Sequence, residues 1–393
     1  MKPVFITGYG ITSAIGTGTE VLMNLEQGNS GISPIAGING LHKPFLGGQI
    51  KRSNQELLED HDLKGLSLGS SRSTILAAVA IKDLLSRTAF TPTERSAFLN
   101  GASVGGMDTT EIEYLGDKER RNAEQFLHHP IGQVADNICR LNNWPIYRTT
   151  ISTACSSAAN SIMLAGRSIR SGRSDRVIAG GCDPISLFTL RGFDSLMIYD
   201  DELCKPFDQN RKGLNLGEAA AYLMLESEVS IKETGNKPIA VLAGWANAND
   251  AYHQTASSPN GRGAYESMNK ALECAGMVPE DIDYINAHGT ATPNNDLSEA
   301  IAIDRTFSKV PPFSSTKSLT GHTLAAAGAI EAVFSILALE QKTIWGNKNH
   351  DEAMETPGII PQLSDQKVEE MRAVLSNSFG FGGNNSSLII SSC

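Results

Sequence analysis

Ser152-Thr153-Ala154-Cys155-Ser156-Ser157-Ala158-Ala159 is the stretch on which the fold turns. The residues before it, 148–151, read Arg-Thr-Thr-Ile, a β-rich run. The residues after it, 156–171, set Ala158, Ile162, Ala165 and Ile169 at helical spacing, and Gly172 supplies the stop. A strand therefore ends, and a helix of small residues begins, at the cysteine. Small side chains let such a helix approach its neighbours closely and bury itself. Thiolate is the reactive form of cysteine, and a free thiol has a pKa of about 8.5. Unpaired N–H groups at a helix start carry partial positive charge, which favours thiolate. The segment predicts a nucleophile at the end of a buried helix. Taken alone, it fits an ordinary buried cysteine equally well.

Outward from Cys155 the same alternation continues. Residues 4–6, 97–99, 177–179 and 221–225 read as strands, and 73–85 as a helix. A second series follows: strand 239–243, helix 264–274, strand 283–287, helix 296–307, then 312–315 leading into a small-residue helix at 323–341. Strands 373–376 and 388–390 close it, joined by a glycine-rich loop, hence an antiparallel hairpin. This is α/β layering. The chain divides near 235–238 into halves 1–238 and 239–393, each opening with a strand, and no residue-level repeat links them. Strand 283–287 delivers His288, and the loop 315–322 carries Lys317 and His322 just before a helix. Two histidines and a cysteine at such junctions can converge at one end of a sheet, where α/β folds put their chemistry.

Composition narrows the function. The chain has 393 residues, 33 Lys+Arg against 43 Asp+Glu and a net charge of −10; 40% of residues are apolar and 19% charged. That is too apolar for disorder and too acidic for a general hold on nucleic acid. No membrane span is expected: the apolar stretch 324–339 carries Glu331 and falls short of the roughly 20 residues a span needs. The six cysteines are scattered without CxxC spacing, which points to reduced thiols in a cytoplasm. Gly8-Tyr9-Gly10 with Gly16 follows a strand, but Ser13 stands where a dinucleotide fingerprint has its third glycine; a tight strand-to-helix turn and no cofactor are expected. His128-His129 lacks ligand spacing, so no metal is expected. Gly101-Ala102-Ser103-Val104-Gly105 matches GxSxG after a strand, which leaves a serine hydrolase on Ser103 as a competing reading.

Five ordered segments weigh against the hydrolase, which stays open as an alternative. Thr153-Ala154-Cys155-Ser156-Ser157; Lys205-Pro206-Phe207-Asp208 with Gly217-Glu218; Ala287-His288-Gly289-Thr290; Lys317-Ser318-Leu319-Thr320-Gly321-His322 with Gly328 and Glu331; and Asn377-Ser378-Phe379-Gly380-Phe381-Gly382-Gly383 run nearly the length of the chain. Together they resemble the β-ketoacyl-[acyl carrier protein] synthase family, of the decarboxylating Cys-His-His elongating type. The resemblance implies a thiolase-like α/β fold, two duplicated halves in five αβαβα layers, no cofactor, and a homodimer, with a heterodimer as the alternative. It implies an acyltransferase that condenses malonyl-carrier protein with an acyl chain held on Cys155. His288 and His322 would serve decarboxylation, Lys317 would orient the site, and Glu331 and Asp296 would support it. The backbone N–H groups of Cys155 and Phe381 would form the oxyanion hole. Thr290, Thr292, Phe379, Phe381 and Val104 would meet substrate.

The segments also depart from the family pattern. Ala291 stands in His288-Gly289-Thr290-Ala291-Thr292 where glycine is usual, and Ala219 and Ala221 replace glycines after Glu218. These variants resemble the branch that makes aryl polyene pigments and related polyketides; a fatty-acid elongase with tolerated substitutions is the other reading. A catalytically silent, chain-length-factor-like subunit also stays open. The implied partner, acyl carrier protein, is acidic, so this acidic chain needs a local basic patch. Arg120 and Arg121 fall where the family docks it, with Arg72 and Lys64 as further candidates.

Overall fold

The computed structural model describes residues 2–116 and 122–393. Its backbone is a mixed 11-stranded sheet with helices against both faces. The elements that build it are β1 (Phe5–Ser13), α1 (Arg72–Arg87), β2 (Ser96–Gly101), β3 (Tyr147–Ile151), α2 (Ser157–Arg170), β4 (Arg176–Asp183) and β5 (Ala219–Glu226) in the first half. In the second half they are β6 (Ala240–Asn249), α3 (Arg262–Ala275), β7 (Tyr284–Asn286), α4 (Pro293–Thr306), β8 (Phe313–Ser314), α5 (Ala327–Gln341), β9 (Ala373–Gly380) and β10 (Asn384–Ser391).

Strand order runs β8-β7-β9-β10-β6-β1-β5-β4-β2-β3, and Gly16–Thr17 pairs only with β1. Counted within its own half, each set is ordered third, second, fourth, fifth, first. The pairing senses repeat as well. β2 is parallel to β3 and β4, and β7 is parallel to β8 and β9. β4, β5 and β1 pair antiparallel, as do β9, β10 and β6. β1 meets β6 antiparallel, Phe5 opposite Val241 and Ile6 opposite Ala240, and this joins the halves. The chain is duplicated in topology although its residues show no repeat.

Period-two burial explains the layers. Every residue of β5 is buried. Ala219, Ala221, Leu223 and Leu225 enter the central core, beside Ala158, Ile162, Ala165 and Ile169 of α2 and the apolar residues of α5. Ala220, Tyr222 and Met224 turn the other way, into a core with Ile75, Val79 and Leu84 of α1. A third core packs Met268 and Leu272 of α3 with Ala300 and Ile303 of α4 against Ile285, Leu375 and Ile389. The order is thus outer helices, sheet, central helices α2 and α5, sheet, outer helices. The segment Leu324–Gln341 is long and apolar enough to cross a membrane, yet 89% of it is buried within the protein.

One expectation fails here. Gly8 and Gly10 lie inside β1, not in a turn. A Cβ on Gly10 would collide with the Ala80 carbonyl and the Leu84 N–H of α1. These glycines permit a helix to lie on the strand, a use that shares the GxG spacing of a turn.

Candidate active site

Three junctions after strands meet above the central helices. β3 runs into the turn at 152–156, β7 into 287–292 and β8 into 315–326. Ala154, immediately before Cys155, has φ +52°, and Leu324, two residues after His322, also has φ +52°. Each is a left-handed non-glycine residue, a conformation that costs of order 1–3 kcal/mol and is held by its surroundings. The turns ahead of the two central helices therefore store matching strain, one in each half.

The convergence foreseen from sequence occurs. His322 Nε2 lies 3.0 Å from Cys155 Sγ. The His288 and His322 rings stand edge to face, with centroids 5.2 Å apart. Lys317 Nζ lies 3.2 Å from His288 Nδ1, donates to the His288 carbonyl and pairs with Glu331. An ammonium has no lone pair, so His288 Nδ1 accepts and its Nε2 carries the hydrogen. Cys155, His288, His322, Lys317 and Glu331 are all buried.

Burial governs their charges. It drives both imidazoles well below the usual 6.5, and the Lys317 charge adds to this. Both rings are therefore neutral at pH 7. Burial raises the Glu331 carboxyl to about 7 against the pull of Lys317. Burial also pushes the Cys155 thiol up to about 11; Lys317 and the N–H groups of Phe381 and Cys155 itself oppose this without overcoming it. Burial thus opposes the thiolate that the helix start favours. His322 Nε2 is the basic atom in contact with the sulfur.

Buried carboxylates set the loops. Glu299 accepts from the N–H of His288 at 2.9 Å and of Gly289 at 2.8 Å. Asp296 accepts from Phe207 N–H at 2.8 Å and Ala291 N–H at 3.1 Å, pinning two left-handed residues, φ +58° and +67°. Ala291 is thus an alanine where the backbone favours glycine. Neither Glu299 nor its role was legible in the sequence; the available signal was two acids three apart on one helical face, both buried.

A cavity of about 330 Å³ opens on Cys155, His288 and His322. Thr290, Thr292, Phe379 and Phe381 line it, joined by Phe193, Met197, Leu214 and Lys212, which the sequence did not single out. Phe381 stacks on Phe193 with centroids 5.4 Å apart. Thr290 and Thr292 share a hydroxyl hydrogen bond of 2.9 Å. Val104 sits in the adjoining apolar cluster with Phe45, Leu190 and Leu214 rather than on the cavity wall.

One expectation needs correction. Ser103 donates its hydroxyl to Asp183, whose carboxylate also accepts from the N–H groups of Ser103, Val104 and Ala325. Its partner is thus an acid that ties loops of the two halves together, and the hydrolase reading loses its base. Arg72, a candidate docking cation, has its guanidinium held on Glu218 and on the carbonyls of Ile50 and Arg52. Lys64 is exposed and lies 3.5 Å from Asp62. Arg120 and Arg121 lie outside the described residues.

The chain matches the domain family described as Beta-ketoacyl synthase, N-terminal domain, over residues 1–230 and its C-terminal counterpart over 239–351. It is 34% identical to a 3-oxoacyl-[acyl-carrier-protein] synthase 2 of Staphylococcus aureus (strain COL), covering 99% of this chain and 98% of that protein. The Vibrio cholerae protein of the same name is 30% identical at 99% and 98% coverage. Among solved structures it resembles the ishigamide ketosynthase/chain length factor (TM-score 0.92, 28% identity, 100% of this chain and 99% of that one). It also resembles a ketosynthase, ApeO, in complex with its chain length factor, ApeC, from Xenorhabdus doucetiae (TM-score 0.86, 31% identity, 100% and 98%).

Proposed function

The chain belongs to the β-ketoacyl synthase family, and from that premise we propose how its own residues condense an acyl chain with malonyl-carrier protein. The observation that carries the reading is the 3.0 Å approach of His322 Nε2 to Cys155 Sγ beside a second neutral imidazole. In the first step His322 takes the thiol proton. The sulfur attacks the acyl thioester, and the backbone N–H groups of Cys155 and Phe381 hold the oxyanion. The bond to the carrier thiol breaks, that thiol leaves with the proton from His322, and the acyl chain stays on Cys155.

In the second step the bond to the malonyl carboxylate breaks and CO2 leaves. The electron pair enters an enolate whose oxygen is held by the Nε2–H of His288, while His322, which has returned its proton to the carrier thiol, stands beside it as a neutral ring. In the third, the enolate carbon attacks the acyl thioester on Cys155. A C–C bond forms, the C–S bond breaks, and the sulfur leaves as a thiolate that takes up one proton from solvent by way of His322. The product is a 3-oxoacyl chain two carbons longer. Lys317 and Glu331 keep His288 in the donor tautomer, Asp296 steadies the 291 turn, Thr290 and Thr292 face the carrier's arm, and Phe379 and Phe381 wall the cavity.

The acidic carrier meets a basic group at the mouth: Lys212 lines the cavity and is 66% exposed, beside Glu202. The reading includes the Arg120-Arg121 pair and Lys64 as further docking cations, a division into halves 1–238 and 239–393, a cytoplasmic setting, and dimerisation. Likeness to ketosynthases solved with chain length factors supports a second subunit. That likeness, with Ala291, Ala219 and Ala221, favours the polyketide-type branch. Supplying malonyl-carrier protein with saturated or with polyunsaturated acyl primers tests this: faster turnover of the unsaturated primer is expected, and preference for the saturated primer returns the chain to fatty-acid elongation.

A further inference from the structure

A lattice of amide and hydroxyl side chains, outside the steps above, crosses from one half to the other behind the active site. Asn384 opens β10, three residues after Phe381. Its Oδ1 accepts from Ser156 Oγ at 2.7 Å, Asn160 Nδ2 at 2.9 Å and Asn247 Nδ2 at 2.7 Å. Ser156 adjoins Cys155, and Asn160 lies one turn further along α2. Asn160 Nδ2 also donates to Thr153 Oγ1 at 2.8 Å, while its Oδ1 accepts from Asn247 Nδ2 at 3.1 Å and Ser386 Oγ at 2.8 Å. Asn384, Asn160, Asn247 and Ser386 lie off the cavity wall.

A second contact joins the same two loops. A Cβ on Gly380 would stand 2.8 Å from the Thr153 carbonyl and 3.2 Å from the Cys155 N–H nitrogen. The Phe381 loop therefore leans backbone to backbone on the Cys155 turn on one side and is tied down by Asn384 on the other. The two N–H groups that would hold an oxyanion come from these two loops, one from each half. Only noncovalent contacts fix their spacing, and a misplacement of about 1 Å in such a constellation costs about 100-fold in rate.

We propose that Asn384 is a positioning residue: its carboxamide oxygen docks the Phe381 loop on the Cys155 turn and so holds the two oxyanion donors in register. The proposal rests on the oxyanion role given above for the Cys155 and Phe381 backbones.

The test compares the two half-reactions in the full-length protein. Asn384→Leu keeps bulk and removes the acceptor. Single-turnover acylation of Cys155 is expected to slow about 30-fold, with KM for the acyl donor changed less than about 2-fold. Release of CO2 from malonyl-carrier protein, which leans on the imidazoles, is expected to stay within about 2-fold. Asn384→Asp offers the same three donors an acceptor and is expected to recover acylation to within about 5-fold of wild type. Should the leucine variant fail to fold, Asn247→Ala removes one donor and is expected to slow acylation about 3-fold with CO2 release unchanged. Unchanged acylation, equal loss of both half-reactions, or no recovery with aspartate overturns the proposal. If the wild type does not capture acyl chains on Cys155, the functional reading itself falls; normal capture with an indifferent Asn384→Leu overturns the positioning role alone.

Discussion

Burial holds the Cys155 thiol near 11, so the proposed first step calls on a neutral base rather than on a standing thiolate. His322→Ala should slow acylation of Cys155 by about 100-fold, the typical worth of a positioned base; a loss confined to CO2 release would reassign that proton. His288→Ala should instead strike decarboxylation and leave acylation the less affected step. Both imidazoles are driven well below 6.5 by burial and then by Lys317. Their NMR signals should therefore stay flat from about pH 8 down to about pH 6, where an ordinary histidine titrates. The Lys317–Glu331 pair supplies a further check. Glu331 is held at about 7, so it is mostly ionised above that pH and mostly protonated below it. Lys317→Met should cost about 3 kcal/mol of unfolding free energy above pH 7, the price of an unpaired buried charge, and less in mild acid. Adding Glu331→Gln should restore most of it, measured by denaturant titration. These residues were legible because each sits within a short motif at a strand end. Asp183 and Asn384 were not, since their partners lie elsewhere in the fold and nothing local marks them, and Glu299 had only its spacing from Asp296 to mark it.

Among the elements, β1 and α1 show what the local pattern hides. Gly8-Tyr9-Gly10 reads as a turn by spacing, yet it is the flat face on which α1 lies. Gly10→Val should lower stability by about 3 kcal/mol, because the obstructing atoms are helix backbone and cannot swing aside; a neutral effect in a denaturant titration would mean that α1 stands further off. Element types were readable where apolar periodicity is strong, as in α2, α5 and the β9–β10 hairpin. The helix Met107–Leu115 carries only Thr109 as a buried residue, so it offers no apolar stripe to read.

For the whole molecule, the duplication was invisible in residues and plain in topology. Burial demands only apolar alternation and short junctions, which unrelated side chains can satisfy twice, so each half keeps its strand order while its residues drift. Acting together, the halves put Cys155 from one beside His288 and His322 from the other. β3 ends the sheet with Tyr147 and Arg148 exposed, an unpaired edge of the kind proteins cover. Native mass spectrometry should find the 42.0 kDa chain paired, with itself or with a related subunit; a lone monomer would contradict the dimer. The most direct test of the account is to incubate the protein with acyl-loaded carrier protein and locate the acyl group by peptide mass spectrometry. The account predicts the acyl mass on the peptide carrying Cys155, absent in Cys155→Ala and retained in Ser103→Ala. An acyl group on Ser103, or none on a wild type given a matched primer, would contradict it.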